Sequence, residues 1–167
     1  SQEAQIHENS SWSCVHGIER WRSNCGCNSG GYAAWNQEWR GPLREALDYL
    51  RDALAVPYEK AAARWFRDPW IARNQAIELI HDRSTDNVAR WLRENALRQT
   101  DDADRTKILK LLEMQRQTLL MYTSCAWFFA EISGIETVQT LAYAARAIQL
   151  AREVAGSELE PSFLERL

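Results

Sequence analysis

The fold class is decided by residues 101–134, DDADRTKILKLLEMQRQTLLMYTSCAWFFAEISG. Apolar residues recur at helical spacing, and Gly134 is typical of a helix C-terminus. The pattern predicts one long helix over about 103–133, which would span roughly 45 Å at 1.5 Å per residue. Three adjacent aromatic residues, Trp127–Phe129, cannot share one helix face. We therefore expect part of this surface to meet another element, the segment 11–40.

The rest of the chain also has helical periodicity. A helix is predicted to begin at Pro42, because proline favours a first turn. Pro57 is expected to end or kink this helix, and a second helix is predicted over about 58–66. Asp68 is the expected N-cap of a further helix, whose core-facing stripe would be Trp70, Ile77 and Ile80. Three more helices are predicted over about 85–97, 135–155 and 161–166.

No segment alternates apolar and polar residues as a strand does. The sequence therefore predicts an all-α fold, an antiparallel bundle of about five to seven helices over 41–167. It follows an irregular segment, 1–40, rich in glycine, tryptophan and cysteine. We expect one domain over 1–167, and the polar start and the end at FLERL suggest a piece of a longer chain.

Composition excludes several classes of protein. The 167-residue chain has a net charge of -3 and no basic cluster, so we expect no nucleic acid as a partner. Its most apolar run, 117–130, is shorter than the roughly 20 residues of a membrane span, so we expect no membrane either. Four cysteines are too few for a disulfide scaffold of this length and indicate a reducing, cytoplasmic location.

The segment SWSCVHGIERWRSNCGCNSGG, residues 11–31, has the highest density of candidate functional residues, with three of the four cysteines and one of the three histidines. Cys14-x-His16 and Cys25-x-Cys27 supply four soft ligands within fourteen residues, as a tetrahedral zinc site requires. One intervening residue is shorter than the usual spacing, so the alternative is a tight loop of free thiols with no cofactor. Catalysis by a Cys14–His16 pair is a third interpretation, but no orienting group accompanies it.

The same segment is rich in tryptophan among polar side chains. Flat apolar rings beside fixed polar groups are typical of a sugar-binding wall. The alternative is that these rings cover the core of the bundle. The candidate substrate-binding residues are Trp12, His16, Arg20, Trp21, Trp35 and Trp39.

Three stretches together resemble a known family: HENSSWSCVHGIERWRSNCGC (7–27), WNQEWRGPLREALDYLRD (35–52) and LLEMQRQTLLMYTSCAWFFAEISGIETVQTLAYAARAIQLA (111–151). They look like the helical C-terminal region, a domain of unknown function, of bacterial glycoside hydrolase family 57-like proteins. The resemblance covers about His7 to Leu167.

The resemblance implies an indirect role. Family 57 enzymes are retaining hydrolases or transglycosylases of α-glucans, with a catalytic Glu and Asp on an N-terminal (β/α)7 barrel. No motif of this chain matches the barrel's catalytic regions, so the resemblance assigns no catalytic residue, and the chain alone is expected to be inactive. It implies a partner barrel in the parent chain and an α-glucan or related oligosaccharide as ligand. The alternatives are a structural metal-binding module and a helical interaction module without sugar contact.

Overall fold

The computed structural model describes residues 3–11, 13–28 and 30–167, and these residues form helices and loops but no strand. The all-α prediction is confirmed. The α-helices are α1 Arg40–Ala62, α2 Pro69–Gln75, α3 Ile77–His81, α4 Thr85–Asn95, α5 Asp102–Leu120, α6 Ile135–Ala155 and α7 Glu160–Leu164; short 3-10 helices cover Glu19–Trp21 and Ser124–Trp127.

Helices α1, α5 and α6 pack against one another and form the centre of the bundle. Helix α5 runs antiparallel to α6: Lys110 pairs with Glu153 near the far end of α6, whereas Thr137 at its start donates to the carbonyl oxygen of Ala126 beyond the end of α5. The core between the helices is aliphatic and aromatic, with fully buried Leu47, Leu50, Leu54, Tyr58, Trp91, Ile108, Leu111, Met114, Trp127 and Leu150.

Helix α1 continues through Pro57, so the predicted break there is wrong. Proline removes one intrahelical hydrogen bond and crowds the preceding turn. Leu54, Tyr58 and Ala62 lie on either side of it and are fully buried. Burial of these side chains against the core outweighs the local cost, because each large apolar side chain contributes about 1.5–3 kcal/mol.

The predicted long helix over 103–133 is also wrong: α5 ends at Leu120, and the chain continues as the 3-10 helix Ser124–Trp127 and a loop. A continuous helix would use each carbonyl group of this region in its own i to i−4 bonds. In the structure, carbonyl groups of 124–130 instead accept hydrogen bonds from distant side chains. Tertiary contacts therefore replace the last turns of the helix.

For the smaller helices, the predicted N-cap is confirmed, but the predicted core-facing residues are only partly correct. The Asp68 side chain accepts hydrogen bonds from the backbone N–H groups of Trp70 and Ile71, as predicted. Trp70 of the predicted stripe packs against the core, but the prediction is wrong for Ile77 and Ile80, which are 51% and 42% exposed. A break at Ala76 between α2 and α3 rotates the face, and Ala72, Ala76 and Leu79 are buried in its place. Within the described part of the chain, no helix is long and apolar enough to cross a membrane.

Candidate metal centre

Two tight turns bring Cys14, His16, Cys25 and Cys27 together. Gly17 closes the first turn by donating its N–H to the carbonyl oxygen of Cys14 at 3.2 Å. Gly17 and Gly26 have φ of 67° and 78°, a left-handed conformation that glycine adopts without strain. Gly17 directly follows His16, and Gly26 separates Cys25 from Cys27, so each pair of ligands adjoins a residue in this conformation.

The potential ligand atoms form a compact group in which all four lie within 4.8 Å of one another. Sγ of Cys14 is 3.8 Å from Sγ of Cys27 and 3.7 Å from Nδ1 of His16, and Sγ of Cys27 is 3.5 Å from the same nitrogen. A tetrahedral zinc ion with Zn–S of about 2.3 Å and Zn–N of about 2.0 Å separates two sulfurs by about 3.8 Å and sulfur from nitrogen by about 3.5 Å. The four side chains could hold such an ion.

The group favours a thiolate at its centre. Burial of Cys14 opposes ionisation, but hydrogen bonds from His16 and from the neighbouring thiols outweigh it and lower the pKa of Cys14 to about 6. The pKa of Cys27 is raised, first by burial and then by its contacts with Cys14 and Cys25. Close thiols cannot all ionise unless a cation joins them. A bound metal ion would supply that cation.

Two buried guanidinium groups lie beside the cluster. Arg40 is fully buried and Arg20 is 6% exposed. Nη1 of Arg40 donates to Sγ of Cys25 at 3.6 Å. Burial lowers the pKa of Arg40, and the charge of Cys25 opposes that change. Within the described residues, neither arginine forms an ion pair with a carboxylate, and Arg40 instead contacts a thiol.

The same arginines, with two tryptophans, join the N-terminal segment to the loop after α5. Phe128 also lies under the guanidinium group of Arg20, 5.2 Å from it. The expectation that the Trp127–Phe129 surface meets the segment 11–40 is confirmed. The four bonds are Arg20 Nη1 to Phe128 O (2.6 Å), Trp21 Nε1 to Ser124 O (3.3 Å), Trp39 Nε1 to Ala130 O (3.2 Å) and Arg40 Nη2 to Phe129 O (3.0 Å).

The candidate sugar-binding residues lie in different surroundings. Trp12 lies outside the described residues, and His16 belongs to the cysteine cluster. Arg20, Trp21 and Trp39 donate to backbone carbonyl groups, and Trp39 also stacks on Trp127 with ring centroids 6.0 Å apart. Trp35 differs from these, because its ring pairs with that of Tyr32 at 4.4 Å.

Sequence reasoning did not identify Arg40 or Tyr32. A signal for Arg40 was present: with Leu43, Leu47, Leu50 and Leu54 it completes an alternating three- and four-residue spacing that marks the buried face of a helix. A charged residue at such a position must find a buried partner. Nothing in the sequence indicates that Tyr32 pairs with Trp35, because that contact depends on the path of an irregular loop.

Replacing Gly17 by alanine should destabilise the protein more than replacing Gly156, which has a similar φ of 65°. At Gly17 the new methyl group would overlap the carbonyl oxygen of Asn9, whereas at Gly156 it meets nothing within 4 Å. Gly156→Ala should cost about 1 kcal/mol from strain alone, and Gly17→Ala about 3 kcal/mol. Urea denaturation measures both, and equal costs would contradict this packing of the first turn.

The comparisons with known proteins identify a family without assigning an activity. No curated protein and no solved structure matches the chain. Residues 35–167 match the model of the family described as Domain of unknown function (DUF3536). The cysteine cluster precedes the matched residues, whereas Arg40 and the loop that receives the N-terminal segment lie inside them. The chain therefore belongs to the DUF3536 family.

Proposed function

We propose that Cys14, His16, Cys25 and Cys27 bind one zinc ion at a structural site. The observation that carries this proposal is the agreement of the three separations among Cys14, His16 and Cys27, 3.8, 3.7 and 3.5 Å, with the edges of a zinc tetrahedron of about 3.5–3.8 Å. Sγ of Cys25 lies within 4.8 Å of these atoms. Three thiolates and one imidazole are donors that zinc prefers. Four protein ligands leave no open position for substrate, which favours a structural role over a catalytic one.

The charge balance around the cluster supports the same function. A zinc ion with three thiolates and a neutral histidine has a net charge of about −1. Arg40, buried and in contact with Cys25, would then lie beside a compensating charge. A buried cation without a partner costs several kcal/mol, so neutral thiols in the absence of metal would leave this region less stable.

The ion would act by fixing the segment between its ligands. Arg20 and Trp21 lie inside the loop closed by Cys14 and Cys27, and both donate to the loop after α5. Closing this loop through the metal reduces the conformational entropy of the free segment. The free energy of metal binding thereby stabilises the contact between the segment and the bundle. Such a site requires reduced thiols, consistent with a cytoplasmic location.

A second function is the one that the family 57 resemblance implies: a C-terminal module that packs on a catalytic barrel of the parent chain and helps shape an α-glucan site. The observation in its favour is the aromatic pair Tyr32–Trp35, in which Tyr32 is 66% exposed. Exposed flat rings can stack on the apolar face of a pyranose. Arg20, Trp21 and Trp39 would support this surface rather than contact the sugar, because their donor groups are already bonded.

Elemental mass spectrometry of protein purified under reducing conditions should find about one zinc per chain. Cys14→Ser and Cys25→Ser should each lower the zinc content well below this value, since each removes a thiolate. Cys125→Ser is the matched control, because Cys125 is exposed and outside the cluster. A chelator should lower the melting temperature of the wild type. Protein without zinc, or variants that all retain it, would exclude the site.

Arg40→Met should weaken zinc binding by about tenfold or more, since groups that contact a metal's ligands tune its affinity. Arg40→Lys, which keeps the charge, should restore part of the loss. Competition with a chromophoric chelator measures the zinc affinity of the wild type, Arg40→Met and Arg40→Lys. Arg44→Met is the control: Arg44 also anchors the segment, through the carbonyl oxygen of Trp21 at 2.9 Å, but it does not contact a thiol. Equal losses in Arg40→Met and Arg44→Met would show that anchoring, not charge, matters.

Trp35→Ala should weaken binding of a linear α-glucan oligosaccharide by about fivefold or more, because one face of the stacking pair is lost. Trp35→Phe, which retains a flat ring, should lose less. Isothermal titration calorimetry measures both against the wild type. A wild-type protein that binds no such oligosaccharide, or a Trp35→Ala variant that binds it equally well, would reject a sugar contact at this surface.

A further inference from the structure

A groove of about 600 Å³ lies between α3 and the central helices α5 and α6. Its floor is apolar, formed by Ala76, Leu79, Val88, Leu109, Leu112 and Leu150. Ile77 and Ile80 also line it and remain 51% and 42% exposed. These are the two isoleucines that the sequence predicted for the core. Their exposure at one concave site gives the groove an apolar lining that is open to a ligand.

The rim of the groove is basic, although the whole chain has a net charge of -3. One acidic side chain, Glu113, lines the groove and accepts hydrogen bonds from Arg116 at 2.9 Å and Gln117 at 2.6 Å. Glu153, outside the lining, pairs with Lys110 and Arg146. Two acidic groups therefore face five basic lining residues: Arg73, Arg83, Lys110, Arg116 and Arg146.

Within the described part of the chain, two of these basic side chains have no close ion pair with a carboxylate and are available to contact an anionic ligand. Arg83 approaches Glu113 only at 3.9 Å, and its side chain is 66% exposed. Arg73 lies over the ring of Trp70 and donates to the neutral side chain of Asn74. An apolar floor below an excess of positive charge is complementary to a molecule with an apolar body and an anionic head.

We propose that this groove binds an amphipathic small-molecule anion, a fatty-acyl carboxylate, with its hydrocarbon chain on the apolar floor and its carboxylate at the basic rim. The volume falls within the range of about 300–1,000 Å³ typical of sites for one small molecule. An apolar floor beside several basic side chains matches one hydrocarbon chain with one anionic head group, and this charge complementarity favours the carboxylate.

The test is calorimetric titration of the protein, as purified under reducing conditions, with laurate and with dodecyltrimethylammonium, a cation of the same chain length, both below their micelle concentrations. Laurate should bind saturably with about one molecule per chain, and the cation at least about tenfold more weakly, because the rim repels it. Equal binding of the two, or unsaturable laurate binding, would overturn the proposal. Binding of an acidic amphipathic peptide without any binding of laurate would also overturn the proposal.

Matched variants locate the site. Ile77→Glu should weaken laurate binding at least about tenfold, because it replaces an apolar contact by a negative charge. Ile71→Glu is the control, because Ile71 is 55% exposed and lies outside the groove lining. The affinity of this variant for laurate should remain within about twofold of the wild type. A control that loses as much affinity as Ile77→Glu would place laurate elsewhere. The groove shares no residue with the cysteine cluster, so either proposal can fail independently.

Discussion

The structure depends on four side-chain donors of the N-terminal region that satisfy backbone carbonyl groups beyond the end of α5. A loop provides no intrahelical partners for its backbone carbonyl groups, and burying such a group unpaired costs about 1–3 kcal/mol. Arg20, Trp21, Trp39 and Arg40 supply the missing donors. The chain can therefore leave the helix at Leu120 and still bury Trp127 and Ala130 in the core. The segment that looks irregular in sequence is thus part of the packing of the bundle.

This arrangement introduces two charges into a buried place. The guanidinium groups of Arg20 and Arg40 are almost inaccessible to water, and desolvated cations require nearby negative charge. The cysteine cluster lies at the position where that charge is needed, in direct contact with Arg40. Under the zinc proposal, the metal keeps three close thiols ionised, the cluster's net charge of about −1 offsets the charge of Arg40, and Arg20 and Arg40 hold the loop after α5. Metal binding and the packing of the bundle would then be one coupled equilibrium.

The basic groove is a separate feature of the bundle. It arises because the break between α2 and α3 rotates Ile77 and Ile80 away from the core, while five basic residues of three helices and one loop line the same space. The family match over 35–167 includes the whole groove but not the cysteine cluster. The two candidate sites therefore lie in different parts of the sequence, and each rests on its own residues.

The sequence by itself determined what depends on local contacts. Helical periodicity and capping are properties of neighbouring residues, so the all-α class, the cap at Asp68 and a helix over about 85–97 followed from them. The four cluster residues were identifiable as soft ligands, but not their mutual distances. Only the tertiary structure decided that α1 continues through Pro57, that α5 stops at Leu120 and that Arg40 meets Cys25. Each of these depends on residues far apart in the chain, because burial and hydrogen bonding across the fold outweigh local propensities of a few tenths of a kcal/mol per residue, about the scale on which sequence patterns act.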